Sequence, residues 1–271
     1  MDKQFETDGY AIFPGFYDVD RQIEPIRQGI RRIVELVADK HGLDAPCATP
    51  DEAMREGIMT IARANRAWAG EVYDAVKQIP AFMQLVAHER NADLFRTLRP
   101  GSEPGLAAGG YGIRIDFPAE DRFRAFWHQE FPAQLRSPDG VVYWSPLLPV
   151  TPEMGPVEIC PGSQAEGIVP VWQDDGGAGK AGAYALRLDR EAERLAKYPH
   201  IAPLSQPGDL IVMDFLTLHQ SGANRAVFPR WSMQFRWFNF NHPLGQRIGW
   251  KGSFAQGVDF ADVLPELVAG S

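Results

Sequence analysis

The chain has 271 residues, of which 45% are hydrophobic and 23% charged, a balance typical of a globular protein with a substantial core. Its 35 acidic residues outnumber the 27 basic ones, and the net charge of −8 argues against nucleic-acid or anionic-membrane partners. Two cysteines form no disulfide framework, and the N-terminus has no basic start followed by an apolar run. We therefore expect a cytoplasmic protein without a signal peptide.

The first third of the chain is predicted to be helical after one short strand at 9–14. Apolar residues in Val19–Lys40 recur at spacings of three and four, which predicts an amphipathic helix. The stretch Asp51–Leu98 also favours helix, with breaks expected near Gly70 and Pro80. These segments should pack together as a helical support for the rest of the chain.

Residues 99–110 contain two prolines and four glycines and should form a turn-rich break, after which the apolar pattern alternates. Candidate strands are Tyr111–Phe117, Phe123–Phe131, Val141–Leu148, Val157–Cys160, Leu210–Leu218 and Arg230–Phe240. Gln173–Tyr184 is rich in Gly and Ala and is predicted to be a surface loop, either a lid or a tolerated insertion. Leu186–Lys197 is predicted to be one amphipathic helix. Helices followed by strands indicate one α+β domain with helices on one face of a β-sandwich.

The predicted strand Arg230–Phe240 has two chemically different faces. One face carries Trp231, Met233, Phe235 and Trp237, and the other carries Arg230, Ser232, Gln234 and Arg236. The polar face could simply be exposed to solvent. If helices cover the aromatic face instead, the polar face lines the interior, where polar side chains are costly unless they bind a ligand. Gln234 and Arg236 are then candidates for a pocket.

A possible metal site begins at His128 and Glu130. Residues two apart on a strand share a face, so this pair could supply two of the three ligands of a facial triad. By itself the pair is no better than a chance match on a solvated strand edge. Of the six histidines, His219 is the best placed third ligand, because it follows a predicted buried strand. Ser221 shares its face if the strand continues, and Arg230 opens the next strand.

These residues carry a family resemblance. The segments His128-Gln129-Glu130 and His219-Gln220-Ser221, followed by Arg230, resemble the phytanoyl-CoA dioxygenase-like (PhyH) branch of the Fe(II)/2-oxoglutarate-dependent oxygenases. Met154–Gln164 looks like the strand and Pro-Gly-Ser turn of that family, and the likeness covers roughly residues 5–245. It implies a double-stranded β-helix (a cupin-like jelly roll) with N-terminal helices on one sheet. We expect a single domain over 1–271, with helical support at about 16–100 and the jelly-roll core at about 108–245.

The resemblance also implies roles for individual residues. His128, Glu130 and His219 would hold Fe(II) and form the catalytic centre. Arg230 would bind the distal carboxylate of the cosubstrate 2-oxoglutarate, with Ser221 adding a hydroxyl donor and Trp144 packing along it. With dioxygen, such an enzyme would hydroxylate or otherwise oxidise a C–H bond of a small-molecule metabolite and release succinate and CO2. The usual acid in this family is Asp, so the glutamate is a departure of one methylene.

Substrate contacts are less well defined. Arg114 shares a strand face with Asp116 and could either reach the interior or form a local surface ion pair. Gln129, Gln234 and Arg236 are the other candidates. Two alternatives stay open, namely a non-catalytic jelly-roll protein that binds metal or ligand, and a cupin-like metalloenzyme that does not use 2-oxoglutarate. A non-catalytic protein would have no chemical reason to keep the triad together with Arg230, and a cupin-like enzyme without 2-oxoglutarate would leave Arg230 and Ser221 unexplained.

Overall fold

The computed structural model describes residues 3–173, 186–252 and 258–269. The helices are Lys3–Asp8 (α1), Glu24–Lys40 (α2), Pro50–Glu52 (α3), Ile58–Ala64 (α4), Arg66–Val76 (α5), Pro80–Val86 (α6), Glu89–Leu98 (α7), Glu130–Ala133 (α8), Glu191–Leu195 (α9), Pro243–Ile248 (α10) and Phe260–Val263 (α11). The strands are Tyr10–Phe13 (β1), Pro104–Leu106 (β2), Gly112–Asp116 (β3), Gly140–Pro146 (β4), Val157–Ile159 (β5), Val171–Gln173 (β6), Leu186–Leu188 (β7), Leu210–Asp214 (β8), His219–Ser221 (β9) and Arg230–Asn239 (β10).

The larger sheet has the antiparallel order β1-β8-β4-β10-β2. Strands β2 and β3 pair with the same edge of β10, β3 along its first half and β2 along its last residues. Helices α2 and α4 to α7 cover its outer face. Trp231, Phe235 and Trp237 of β10 are buried in one apolar cluster with these helices, and the indole of Trp231 donates to the Met54 carbonyl at 2.7 Å. Of the two alternatives left open for this strand, the structure therefore shows the one in which helices cover the aromatic face.

The second layer is smaller and lies across the opposite face of the large sheet. It consists of β5 paired with β9, extended by single bridges from His128 to His219 and from Ile159 to Ile201. A separate hairpin pairs β6 with β7. A second apolar cluster fills the space between the layers and includes Trp144, Ile211 and Met213 of the large sheet. The two-layer antiparallel arrangement confirms the predicted double-stranded β-helix with helices on one sheet.

Several predicted elements are wrong in their bounds or type. The predicted strand Leu210–Leu218 ends at Asp214, because Asp214 accepts hydrogen bonds from the backbone N–H groups of Leu216 and Thr217 and turns the chain. The turn moves the chain from the large sheet to β9 in the small one. The predicted helix Leu186–Lys197 is a strand followed by a short helix. Gly70 does not break a helix; the break lies at Asn65, whose side chain caps α5.

The segment predicted as a strand at Phe123–Phe131 is mostly irregular. It starts in a single 3-10 turn, makes one bridge at His128 and enters α8 at Glu130. His128 alone forms a β-bridge to β9, and one further hydrogen bond joins the segments, from the N–H of Ser221 to the carbonyl of Ala125 at 3.1 Å. β2 lies within the break expected at 99–110. The lid prediction falls on 174–184, which are outside the described residues. In the part of the chain that the structure describes, no helix is long and apolar enough to cross a membrane.

Candidate active site

The two histidines of the predicted triad lie side by side across a backbone bridge. The N–H of His128 donates to the carbonyl of His219 at 3.1 Å, and the reverse bond has the same length. This exchange fixes the two Cα atoms opposite each other, and the imidazole centroids are 4.3 Å apart. The backbone bridge thus brings together two residues that are far apart in sequence, His128 at the end of a loop and His219 at the start of β9.

Each imidazole is anchored through its Nδ1 atom. Nδ1 of His128 lies 2.7 Å from the Phe126 carbonyl, and Nδ1 of His219 lies 2.9 Å from the Thr217 carbonyl. A carbonyl can only accept, so both Nδ1 atoms carry the proton and both Nε2 atoms present a lone pair to the interior. Such outer hydrogen bonds orient the histidine ligands of metal sites.

Glu130 completes the set from the start of α8, where its N–H donates to the Phe215 carbonyl at 2.8 Å. Its Oε2 lies 4.0 Å from Nε2 of His128 and 3.8 Å from Nε2 of His219. The three candidate donor atoms lie within 4.8 Å of one another. Two imidazole nitrogens and one carboxylate oxygen form the donor set of the facial triad that binds non-haem Fe(II) with open positions.

The carboxylate of Glu130 is also held from behind by Arg236. Its Nε donates to Oε1 at 2.9 Å and its Nη2 to Oε2 at 3.3 Å. Because the glutamate is only 4% exposed, this two-point pairing compensates most of the cost of burying its charge. It also leaves Oε2 as the oxygen that faces both histidines, which favours one-oxygen ligation.

Burial and charge set the protonation state of the triad. Desolvation lowers the pKa of His219 to about 3, assisted by the neighbouring imidazole, and lowers the pKa of His128 as well. For Glu130, burial alone would raise the pKa, but Arg236 and the two imidazoles outweigh it and lower the pKa. Near neutral pH the site therefore contains two neutral imidazoles and one carboxylate, which are the protonation states that bind a metal cation.

The triad opens into a cavity of about 310 Å³ between the two layers. The structure brings several predicted site residues to it: Trp144, Ser221, Arg114, Gln234 and Arg236 all line this cavity. Gln129 does not. Its amide donates to the carbonyls of Gly167 and Leu216, each at 2.8 Å, and accepts from the N–H of Val169 at 2.8 Å. Since backbone groups occupy both ends of this amide, its assignment as a substrate contact is withdrawn.

Arg230 is not among the residues that line the cavity, although Gln234 and Arg236 of the same strand are. It is 2% exposed, and its Nη2 donates to Asp116 at 2.8 Å. Its Nε and Nη1 have no hydrogen-bond partner among the described residues, and the same holds for the neighbouring hydroxyl of Ser232. A buried cation with two unpaired donors fits a carboxylate ligand. Ser232 was not selected from the sequence, although its position two residues after Arg230 places it on the same face.

Arg114 and Asp116 do form an ion pair, at 2.6 Å, but it is not a surface pair. The carboxylate is 10% exposed and contacts both Arg114 and Arg230. Burial would raise the pKa of Asp116, but the two guanidinium groups outweigh it and lower the pKa far below its usual range. The pair thus joins the wall of the cavity to the buried arginine.

Other residues at the cavity were missed. Tyr73 of α5 and Tyr111 just before β3 both line it. Neither follows from the local sequence pattern, because Tyr73 reaches the site only through the packing of α5 against the edge strand β3. Gln220 also lines it and donates to Glu158 at 2.7 Å. Because Gln220 lies between His219 and Ser221 in sequence, its place near the cavity could have been predicted from theirs.

The sequence and the fold of this chain are both similar to those of known proteins. The ectoine dioxygenase of Sphingopyxis alaskensis is 26% identical over 238 residues, which cover 83% of this chain and 71% of the relative. The crystal structure of EctD from S. alaskensis with bound Fe superposes with a TM-score of 0.54 at 20% identity, covering 89% of this chain and 78% of that one. SnoN, an alpha-ketoglutarate-dependent epimerase from nogalamycin biosynthesis, gives a TM-score of 0.51 at 17% identity, covering 87% and 80%.

At these identities the two superpositions establish a common fold, in agreement with the jelly roll described above. The family is established by a broader match. The profile of the phytanoyl-CoA dioxygenase (PhyH) family matches residues 5–232, which include the helical support, the triad and Arg230. The chain therefore belongs to the phytanoyl-CoA dioxygenase (PhyH) family.

Proposed function

We propose that this protein is an Fe(II)/2-oxoglutarate-dependent dioxygenase that hydroxylates, or otherwise oxidises, a C–H bond of a small-molecule metabolite. When bound, iron and 2-oxoglutarate supply the oxidising chemistry, consuming dioxygen and releasing succinate and CO2. The proposal rests on family membership and on one observation above all, the buried convergence of His128, Glu130 and His219 at the floor of a cavity. The relatives with related folds include a dioxygenase and an alpha-ketoglutarate-dependent epimerase.

The residues of the triad would hold the metal with side chains that their neighbours already orient. Nδ1 anchoring aims both imidazoles inward, and Arg236 holds the Glu130 carboxylate so that Oε2 faces them. We therefore assign Arg236 to positioning the carboxylate and not to contacting substrate. The extra methylene of Glu relative to Asp makes such restraint more useful, because a longer side chain has more rotamers to lose on binding metal.

The unpaired donors of Arg230 support a binding site for the distal carboxylate of 2-oxoglutarate. Its planar fork can offer one of the unpaired nitrogens, together with the second N–H of Nη2, to the two oxygens of a carboxylate, while the other N–H of Nη2 stays on Asp116. We assign Ser221, and also Ser232, as hydroxyl donors beside it, and Trp144 as the apolar wall along the cosubstrate. Burial of these groups excludes water, so each charge-assisted hydrogen bond to the cosubstrate is stronger than it would be at the surface.

A small-molecule substrate is supported by the size and lining of the cavity. About 310 Å³ is near the lower end of cavities that bind small ligands, so a macromolecule could not enter beyond a side chain. Gln234 and Arg114 provide polar groups at its wall, and Arg114 already has a carboxylate partner. We infer a polar metabolite whose reacting carbon lies at the triad.

Anaerobic titration tests this function. Adding Fe(II) and then 2-oxoglutarate to the protein without oxygen should produce the visible charge-transfer absorption of the chelated metal. The His219→Ala variant should lack this absorption, because one of three ligands is missing. A metal-binding protein without 2-oxoglutarate chemistry would bind Fe(II) and give no new absorption, and that result would reject the proposal.

A further inference from the structure

A second cavity of about 210 Å³ adjoins the cavity of the triad, and we call it the annex. It is lined by Arg66, Gly70 and Tyr73 of α5 and by residues on and after β3, among them Phe117 and Phe123. The two cavities have Tyr73 and Arg114 in common. Among the described strands β3 pairs only with β10, so its other edge has no strand partner, and the annex lies between this strand and α5.

The walls of the annex are flat and apolar. Phe117 is buried, while the ring of Phe123 is partly exposed at the rim. The guanidinium of Arg66 lies over both rings, 4.2 Å and 5.6 Å from their centroids. Its charge is already matched by Glu120, which accepts two hydrogen bonds at 2.6 Å and 2.7 Å. A neutralised, stacked arginine presents a planar face and not a free charge, which suits an aromatic or branched apolar group.

Gly70 keeps space open in this wall. It lies inside α5, where a glycine lowers helix stability relative to alanine because it loses more backbone freedom on folding. A Cβ at this position would meet no other atom within 4 Å. Both the packing around Gly70 and the helix propensity of α5 would therefore allow a residue with a side chain, such as alanine, at this position.

We propose that the annex binds an aromatic or branched apolar group of the substrate while the polar, reacting part of the same molecule lies at the triad. The substrate would then be an amphipathic small molecule whose two parts meet at Tyr73 and Arg114. This inference rests on the proposed function for the identity of the triad, but the apolar subsite has its own observable, namely affinity for an apolar probe.

The test uses 2-naphthol, a neutral aromatic probe, in fluorescence titrations of the full-length protein. Burying an apolar ring is worth roughly a ten- to hundredfold gain in affinity. We expect Gly70→Phe, which fills the annex, to weaken probe binding at least tenfold, and Gly70→Ala, the matched control, to change it less than twofold. Phe123→Ala, which removes one wall, should weaken binding by a smaller factor and serves as the second variant if Gly70→Phe does not fold.

Absence of probe binding to the wild-type protein, or equal binding by all variants, would overturn the annex as an apolar subsite. The Fe(II)/2-oxoglutarate absorption, measured on the same samples, keeps the two proposals apart. Gly70→Phe should retain it, because the annex lies outside the triad. If the absorption is present and the probe does not bind, only the annex is refuted. If the absorption is absent in the wild type, the proposed function fails whatever the probe does.

Discussion

Replacing Arg230 by alanine should remove most of the affinity for 2-oxoglutarate and leave the affinity for iron nearly unchanged. The side chain is 2% exposed, and its Nε and Nη1 are unpaired among the described residues. If one of these nitrogens and the second N–H of Nη2 donate to the distal carboxylate, each charge-assisted bond contributes about 1.5–3 kcal/mol, so their loss costs about 3–6 kcal/mol. Allowing for water that enters the truncated site, we expect the Kd of 2-oxoglutarate to rise roughly a hundredfold or more.

Arg230→Lys separates charge from geometry. Lysine keeps the positive charge but lacks the planar fork, so we expect it to retain one of the two bonds and to fall between wild type and Arg230→Ala. Arg225→Ala is a matched control, since that arginine is about half exposed and pairs with Asp121 at the surface. It should bind 2-oxoglutarate like the wild type.

The assay is an anaerobic titration of 2-oxoglutarate into the Fe(II)-loaded protein, followed by its absorption or heat of binding. Iron affinity without 2-oxoglutarate is measured in parallel. A Kd within threefold of wild type in Arg230→Ala would refute the carboxylate assignment. Equal losses of iron and 2-oxoglutarate affinity would mean that Arg230 has a structural role only.

Three further predictions concern the charged groups around the triad. Arg236→Met leaves Glu130 buried without its partner and should lower the metal-free stability by about 3–5 kcal/mol in urea unfolding, whereas an unchanged midpoint would show that the pair is not formed. Glu130→Ala should abolish succinate production, and full activity would mean that another carboxylate binds the metal. Asp116 has a lowered pKa, so its stabilising effect is complete above its unfolded pKa of about 4 and is lost as the pH falls toward the folded value. The stability difference between wild type and Asp116→Asn should therefore be constant from about pH 5 to 7 and shrink below about pH 4; a difference that grows on acidification would contradict the assigned shift.

The parts of this protein that were predictable from sequence are those with a local signature. β10 alternates between polar and apolar residues from Arg230 to Trp237, so both its strand character and its two faces could be derived. The triad needed more than periodicity. His128 and Glu130 are two apart, but Glu130 begins α8, so they converge through a turn and not through the strand geometry assumed for them.

Contacts between distant segments account for what sequence reasoning missed. The strand expected at Phe123–Phe131 has suitable residues, but the short β9 pairs with only one of them. Leu210–Leu218 is apolar except for Asp214 and Thr217, and the turn at Asp214 divides it between two sheets, with the Asp214 side chain accepting from the N–H of Leu216. The pairing of Arg236 with Glu130 links residues 106 apart in sequence, and no pattern in either segment indicates it.

Conversion of 2-oxoglutarate to succinate is the most direct test of the assignment. Purified protein is loaded with Fe(II), given isotopically labelled 2-oxoglutarate and exposed to air, and the products are followed by NMR. Even without the metabolite substrate, we expect slow formation of succinate that requires both iron and oxygen and is absent in Glu130→Ala. Recovery of unchanged 2-oxoglutarate from protein that has bound iron would contradict the account.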